Sequence, residues 1–213
     1  MVDATFVEAP RQRNSREPKA LSEAEGDNAK IKAGAMPESW LGQSEKVRQK
    51  DVDARGTIKN GQRYYGYKNH VKVDSRSQLI EDFTVTPASV HDSQVLEKLI
   101  AKGDPATYVD SAYTGAECEA IFAARAVEAK PMERAYRNKP LYGRQKRTNQ
   151  ARSKIRVRVE HVFATMRGCL RSAWNRWIGL TRNRAAIAMT NLVYNMVRFE
   201  QITRLGLKNW RAA

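Results

Sequence analysis

Apolar and polar positions alternate from the first residues of the chain. In "VDATFVEA", Val2, Ala4 and Phe6 share one side and Asp3, Thr5 and Val7 the other, the period of a strand. From residue 10 to about 52 the period vanishes, and Pro, Gly, Ser and Glu predict a long polar loop or insertion. The pattern resumes at "GTIKNGQRYYGYKNHVKVD", where Asn60-Gly61 signals a tight turn and Tyr64 to Val73 reads as a strand. "QLIEDFTVTPA", Gln78 to about Pro87, is a second strand able to pair with it as a meander. "HDSQVLEKLIAKG" predicts a helix, with Asp92 as cap, Leu96, Leu99 and Ile100 on one face and Gly103 at the stop. "ATYVDSAYTG" is a short apolar strand ending near Asp110. Thr114 and Glu117 then fit a capping box for a helix from Ala116 to about Ala126, and "VEAKP" suits a last short strand.

Two amphipathic helices complete the pattern. In Arg152 to Leu170, Ile155, Val159, Val162, Phe163, Met166 and Leu170 recur at helical spacing. Arg184 to about Leu205 carries Ile187, Leu192, Val193, Met196, Val197 and Ile202, and residues 206–213 form a tail. Strands alternating with helices late in the chain predict an α/β domain, layered as a sheet with helices on its faces and completed by residues 53–205.

Charge changes the picture. The formal net charge is +15, and Pro131 to Arg184 alone holds 15 Arg or Lys against two acids, Glu133 and Glu160. A solvated face is one reading. Interleaving with Tyr142, Trp174 and Trp177 favours a polyanion, and nucleic acid before an acidic membrane. No apolar run reaches the length of a membrane span, and "MVDATFVEAP" lacks a basic-then-apolar leader pattern. Cys118 and Cys169 are not at metal-ligand spacing and read as buried or free thiols in a reducing compartment.

Glu160 is a lone acid in that basic block. Arg156 lies four residues before it and Arg167 seven after, so the three share a helix face roughly a hundred degrees from Ile155, Val159 and Val162. Alone, this is a surface Arg156–Glu160 pair. Two further acids alter the weighing. Asp110 ends an apolar strand, where layered sheets gather ligand sites, and Asp3 sits inside a strand that disfavours Asp. Converging carboxylates need a cation, and hard divalent ions such as Mg²⁺ take oxygen ligands. From spacing alone, a metal site and three unrelated acids both stand.

The stretches "VDATFVEAPRQRN", "DVDARGTIKNGQRYYGYKNHVKVD", "LIEDFTVTPASVHDSQV", "YVDSAYTG" and "RNKPL…RSKIRVRVEHVFATMR", in that order, resemble the catalytic region of bacterial insertion-sequence transposases of the DDE class, in the family named after insertion sequence five. The resemblance implies a ribonuclease-H-like mixed sheet flanked by helices. It implies catalytic, metal-binding acids at Asp3, Asp110 and Glu160, with two Mg²⁺ or Mn²⁺ ions. It further implies cleavage of element ends and strand transfer into target DNA, by a homo-oligomer in the cytoplasm, associated with the nucleoid and not with a membrane. Arg156 and Arg167, with Arg152, Lys154, Arg158 and Arg171, are then the expected phosphate contacts. Ser153 stands where the family signature has Tyr, Arg167 where it has Lys, and Gly56 where relatives often have Trp. Relatives also carry a helical segment before the first catalytic strand, so residues 1–9 are expected to be a truncated form of that strand. A truncated, catalytically inactive DNA-binding remnant is the alternative, and a nuclease of the same fold without strand transfer a third reading.

Other candidates read more plainly. His70, His91 and His161 suit structural or surface roles, with a DNA contact open for His161. Lys68 and Asn69 divide between structure and DNA. Asp51 and Asp53 read as solvated loop acids, and Trp174 and Trp177 as core packing ahead of a stacking wedge.

Overall fold

Asn60 and Gly61, at φ of 52° and 78°, form the tight turn that their sequence predicts. In the computed structural model, which describes residues 1–11, 26–135 and 140–207, this turn joins β2 (Arg55–Lys59) to β3 (Gln62–Val73). β3 is the spine of a four-stranded antiparallel sheet. β1 (Val2–Glu8) lines one of its edges, and β2 and β4 (Ile80–Pro87) share the other, end to end. β1 pairs along its whole length, from Val2 opposite Lys72 to Glu8 opposite Gly66. β5 (Thr107–Val109) and β6 (Ala129–Pro131) form a separate parallel ladder, with β5 lying against β1. The expected α/β class is found, with its strands divided between these two ladders.

Gly66 makes the crowded junction possible. Both β1 and β2 meet β3 there, at φ 144°, and a Cβ would lie 2.4 Å from Val7 O and 2.6 Å from Ala9 N. No other residue leaves room for the amide of Ala9 to reach Tyr65 O at 2.9 Å.

The expected loop is partly structured. Its residues 12–25 lie outside the described ones, as do 208–213 of the tail. The rest holds α1 (Asp27–Lys32) and α2 (Ser44–Gln49), with Trp40 buried between them in sequence and donating its indole N–H to Asp27 at 3.0 Å. Asp51 is not a solvated loop acid. It is buried, accepts from the Tyr67 hydroxyl at 2.7 Å and from the amides of Ala54 and Gly179 at 2.9 and 3.1 Å. Asp53 accepts from Leu180 N at 2.8 Å. Together they satisfy amides at the start of α6 (Leu180–Arg204), where the helix macrodipole favours negative charge. α6 therefore begins ahead of the expected Arg184.

Two expected caps do not form. Asp92 pairs with the buried amine of Lys68 at 2.9 Å, because an ammonium on β3 needs a counter-charge more than the turn needs a cap. His91 accepts from Ser93 N instead, and the helix shrinks to a 3-10 turn followed by α3 (Leu96–Leu99), short of Gly103. Thr114 donates its hydroxyl to Ser111 O at 2.7 Å, so α4 (Ala116–Ala124) starts behind Gly115 at φ 130° without a side-chain cap.

α5 (Gly143–Gly168) begins well before Arg152, at a turn where Gln145 accepts from Tyr142 N at 2.9 Å. Its buried residues Val159, Val162, Phe163 and Met166 pack with Val71, Val73 and Tyr194 on one face of the sheet. Val2 packs on the other with Val95, Leu96, Leu99, Val109 and Phe122. Each such apolar side chain contributes on the order of 1.5–3 kcal/mol. α6 buries Ile187, Tyr194 and Ile202, while Leu192, Val193, Met196 and Val197 of its expected apolar set are exposed. Cys118 is buried, Cys169 is exposed and neither is paired. Among the described residues, no helix is long and apolar enough to cross a membrane.

Candidate active site

Asp3 is fixed by the β1–β3 ladder, opposite Val71, and accepts from Ala4 N at 2.8 Å. Burial pushes its carboxyl above the usual carboxylate range. The Arg156 guanidinium pulls it back, and the charge of Glu160 pushes it up again. Asp110 directly follows β5 and opens a 3-10 turn, its Oδ1 accepting from Ser111 N at 2.7 Å. Glu160 stands on α5, one turn beyond Arg156, and is exposed.

These three acids, from the start of the sheet, the end of β5 and the middle of α5, line one cleft of about 480 Å³ together with Arg156 and Arg167. Arg156 does not form the expected surface pair with Glu160. Its Nη2 donates to Asp3 Oδ2 at 2.7 Å, and its Nη1 lies 3.5 Å from Asp110 Oδ1. A cation thus bridges two carboxylates that would otherwise repel each other. Among the described residues, Arg156 Nε and the hydroxyls of Thr5 and Tyr113, like His70 Nδ1 elsewhere, are buried without a hydrogen-bond partner. Thr5 lines the same cleft, and burial drives the Tyr113 hydroxyl well above its ordinary range, with the charges of Asp92, Asp3 and Asp110 adding to the effect.

All-oxygen donors suit a hard cation rather than zinc or copper. As placed, however, no three His, Cys, Asp or Glu side chains among the described residues form a group able to hold a metal ion, and the guanidinium stands between Asp3 and Asp110. The donor chemistry fits. Use of both aspartates on one ion requires Arg156 to turn away.

The other expected cations separate. Arg152 donates to Pro131 O, and Arg158 to Ser75 O at 2.5 Å. Lys154 and Arg171 are exposed. Lys68 is held by Asp92, Asn69 by Asn191 at 2.8 Å, and His70 is buried against Thr86 Oγ1 at 2.8 Å, so all three serve the interior. His161 is exposed.

Sequence reasoning did not single out Lys59, Gln62, Tyr64 and Phe6, which line the same cleft as the acids. Phe6 and Tyr64 stack at 4.1 Å and 8°. The signal was the Asn60-Gly61 turn, which pairs Lys59 with Gln62 and leaves the Lys59 amine 5.8 Å from the centre of the Phe6 ring. Trp174 and Trp177 are not core residues, being 46% and 56% exposed. Their loop is instead tied to the end of β1, with Glu8 N donating to Ala173 O and Asn175 N to Glu8 O, both at 2.8 Å.

Known proteins resemble this sequence. The family described as "Transposase DDE domain" matches residues 1–196. "Transposase for insertion sequence element IS1106" of Neisseria meningitidis serogroup B is 32% identical over 152 residues, 70% of this chain and 52% of the relative. The chain thus spans about half the length of that curated relative. No solved structure matches. The match over residues 1–196 assigns the chain to its family: it belongs to the transposases with a DDE domain.

Proposed function

We propose that the chain is the catalytic part of a DNA transposase with a ribonuclease-H-like fold. The observation that carries this is the convergence of Asp3, Asp110 and Glu160, distant in sequence, on one cleft. The run β4–β3–β1, with β5 against β1 and β6 beyond it, supports the fold. The reaction is hydrolysis of a phosphodiester at an element end, which frees a 3′-hydroxyl, followed by attack of that hydroxyl on target DNA. Bound Mg²⁺ or Mn²⁺, with two ions the expected number, supplies an activated oxygen nucleophile and charge stabilisation.

The chain's own residues have separable tasks. Asp3, Asp110 and Glu160 would hold the ions and need no protein nucleophile beside them. Arg156, released from the two aspartates, turns to a phosphate, and Arg167 at the same wall holds the strand. The exposed Lys154 and Arg171 extend the basic surface, with Arg152 and Arg158 contributing field from their tethered positions. The partners are element ends and target DNA, engaged by a homo-oligomer in the cytoplasm at the nucleoid.

The test is nicking of DNA carrying the element ends, with and without Mg²⁺. Asp110→Ala abolishes nicking and retains DNA binding; nicking that survives this substitution refutes the assignment. One observation favours a second reading, the inactive DNA-binding remnant: Arg156 occupies the space between Asp3 and Asp110. Salt-sensitive binding without nicking by the unsubstituted chain, at any divalent cation concentration, selects that reading. Nicking without joined target product selects a nuclease.

A further inference from the structure

We infer that the loop between α5 and α6, residues 171–179, is a nucleobase-stacking wedge that receives unpaired DNA at the rim of the acidic cleft. The inference rests on the cleft being a DNA site. Four backbone ties anchor the loop: Ser172 N to Met166 O at 3.1 Å, the two bonds between Glu8 and residues 173 and 175, and Gly179 N to Asp51. Trp177 O also accepts from the buried Asn183 side chain at 2.8 Å. On this anchored backbone the indoles of Trp174 and Trp177 stand about half exposed. Two large aromatics held out in water by a fixed backbone call for a flat apolar partner.

Charge identifies that partner. Residues 171–184 contain Arg171, Arg176, Arg182 and Arg184 and no acid. The Arg176 guanidinium already lies over the Trp174 ring, 5.1 Å from its centre. Aromatic faces among cations bind single-stranded nucleic acid by stacking bases and holding phosphates. A second copy of the chain fits poorly, since it would bring the same four arginines against themselves. Position supplies the link to the cleft: Ala173, next to Trp174, lines it together with Asp3, Asp110 and Glu160. A base lifted from the duplex beside the reacting phosphate would find the indoles within reach.

The test uses the whole chain in EDTA, with binding of labelled oligothymidylate and of a matched duplex read by anisotropy. Trp174→Ala and Trp177→Ala are each expected to weaken single-strand binding by roughly tenfold, with duplex binding changed less than twofold and the slope of affinity against salt unchanged. Trp174→Phe retains most of the affinity, and an unaltered thermal midpoint confirms that each variant folds. Oligothymidylate also quenches indole fluorescence, and the double Ala variant loses that quenching. Equal losses on both DNAs, or no loss, overturn the wedge. Self-association of the DNA-free chain that the Ala variants abolish overturns it in favour of a dimer contact. Because EDTA removes catalysis, the result stands whether or not the nicking assay succeeds.

Discussion

Arg156 Nη2 lies 2.7 Å from Asp3 Oδ2, joining residues 153 positions apart in the sequence. Both side chains are largely shielded from water. The contact therefore does more than a surface ion pair: it offsets part of the cost of burying a carboxylate that desolvation pushes upward.

Replacing Arg156 with Gln should destabilise the chain by about 2–4 kcal/mol at pH 7, measured by urea unfolding, because it strands a shielded carboxylate. Asp3→Asn in that background should recover much of the loss. Asp3 has a raised value in the folded state, so its contribution is full below about pH 4 and is lost as pH rises towards that value. Without Arg156 the value rises further. The deficit of Arg156→Gln should then shrink at pH 4.5, and an equal deficit at both pH values would refute the electrostatic account.

His70 should make the fold acid-sensitive. Burial lowers its imidazole from 6.5 to about 4, with Asp92 opposing that shift and Lys68 adding to it. The unfolded chain takes up the proton first as pH falls, so stability drops between about 6.5 and 4, by up to ~3 kcal/mol. His70→Gln should remove most of the difference between pH 7 and pH 5 in chemical unfolding. Titration of the imidazole by NMR near pH 6.5 in the folded protein would contradict this.

Asp51→Ala should cost about 2–4 kcal/mol, since it orphans the Tyr67 hydroxyl and the Ala54 and Gly179 amides together. Tyr67→Phe removes one partner only and should cost about 1 kcal/mol. Hydrogen exchange should show faster amides at the start of α6 in Asp51→Ala. Unchanged protection there would mean that the helix start is held by packing alone.

Local chemistry made much of this fold readable. Asn60-Gly61 needs no tertiary help to turn, and the apolar spacing of Val159, Val162 and Met166 describes one helix face wherever it packs. One cap failed because a partner from another strand competed: Asp92 is claimed by Lys68 of β3. Asp51 looked like a loop acid because its partners, Tyr67 and Gly179, come from opposite halves of the sequence. The same holds at the cleft. The acids stood out by resemblance, but their bridging by Arg156 did not, because helical spacing offered Glu160 as the nearer partner. The apolar residues of α6 misled by type, since Leu192 and Met196 face water.

The tie between Glu8 and residues 173–175 has a colloidal side. A strand with one bare margin is a template on which neighbouring molecules can add their own strands. Here the Trp-bearing segment covers that margin at the end of β1. Any change that shortens or detaches it should first appear as turbidity on storage rather than as a lower melting point.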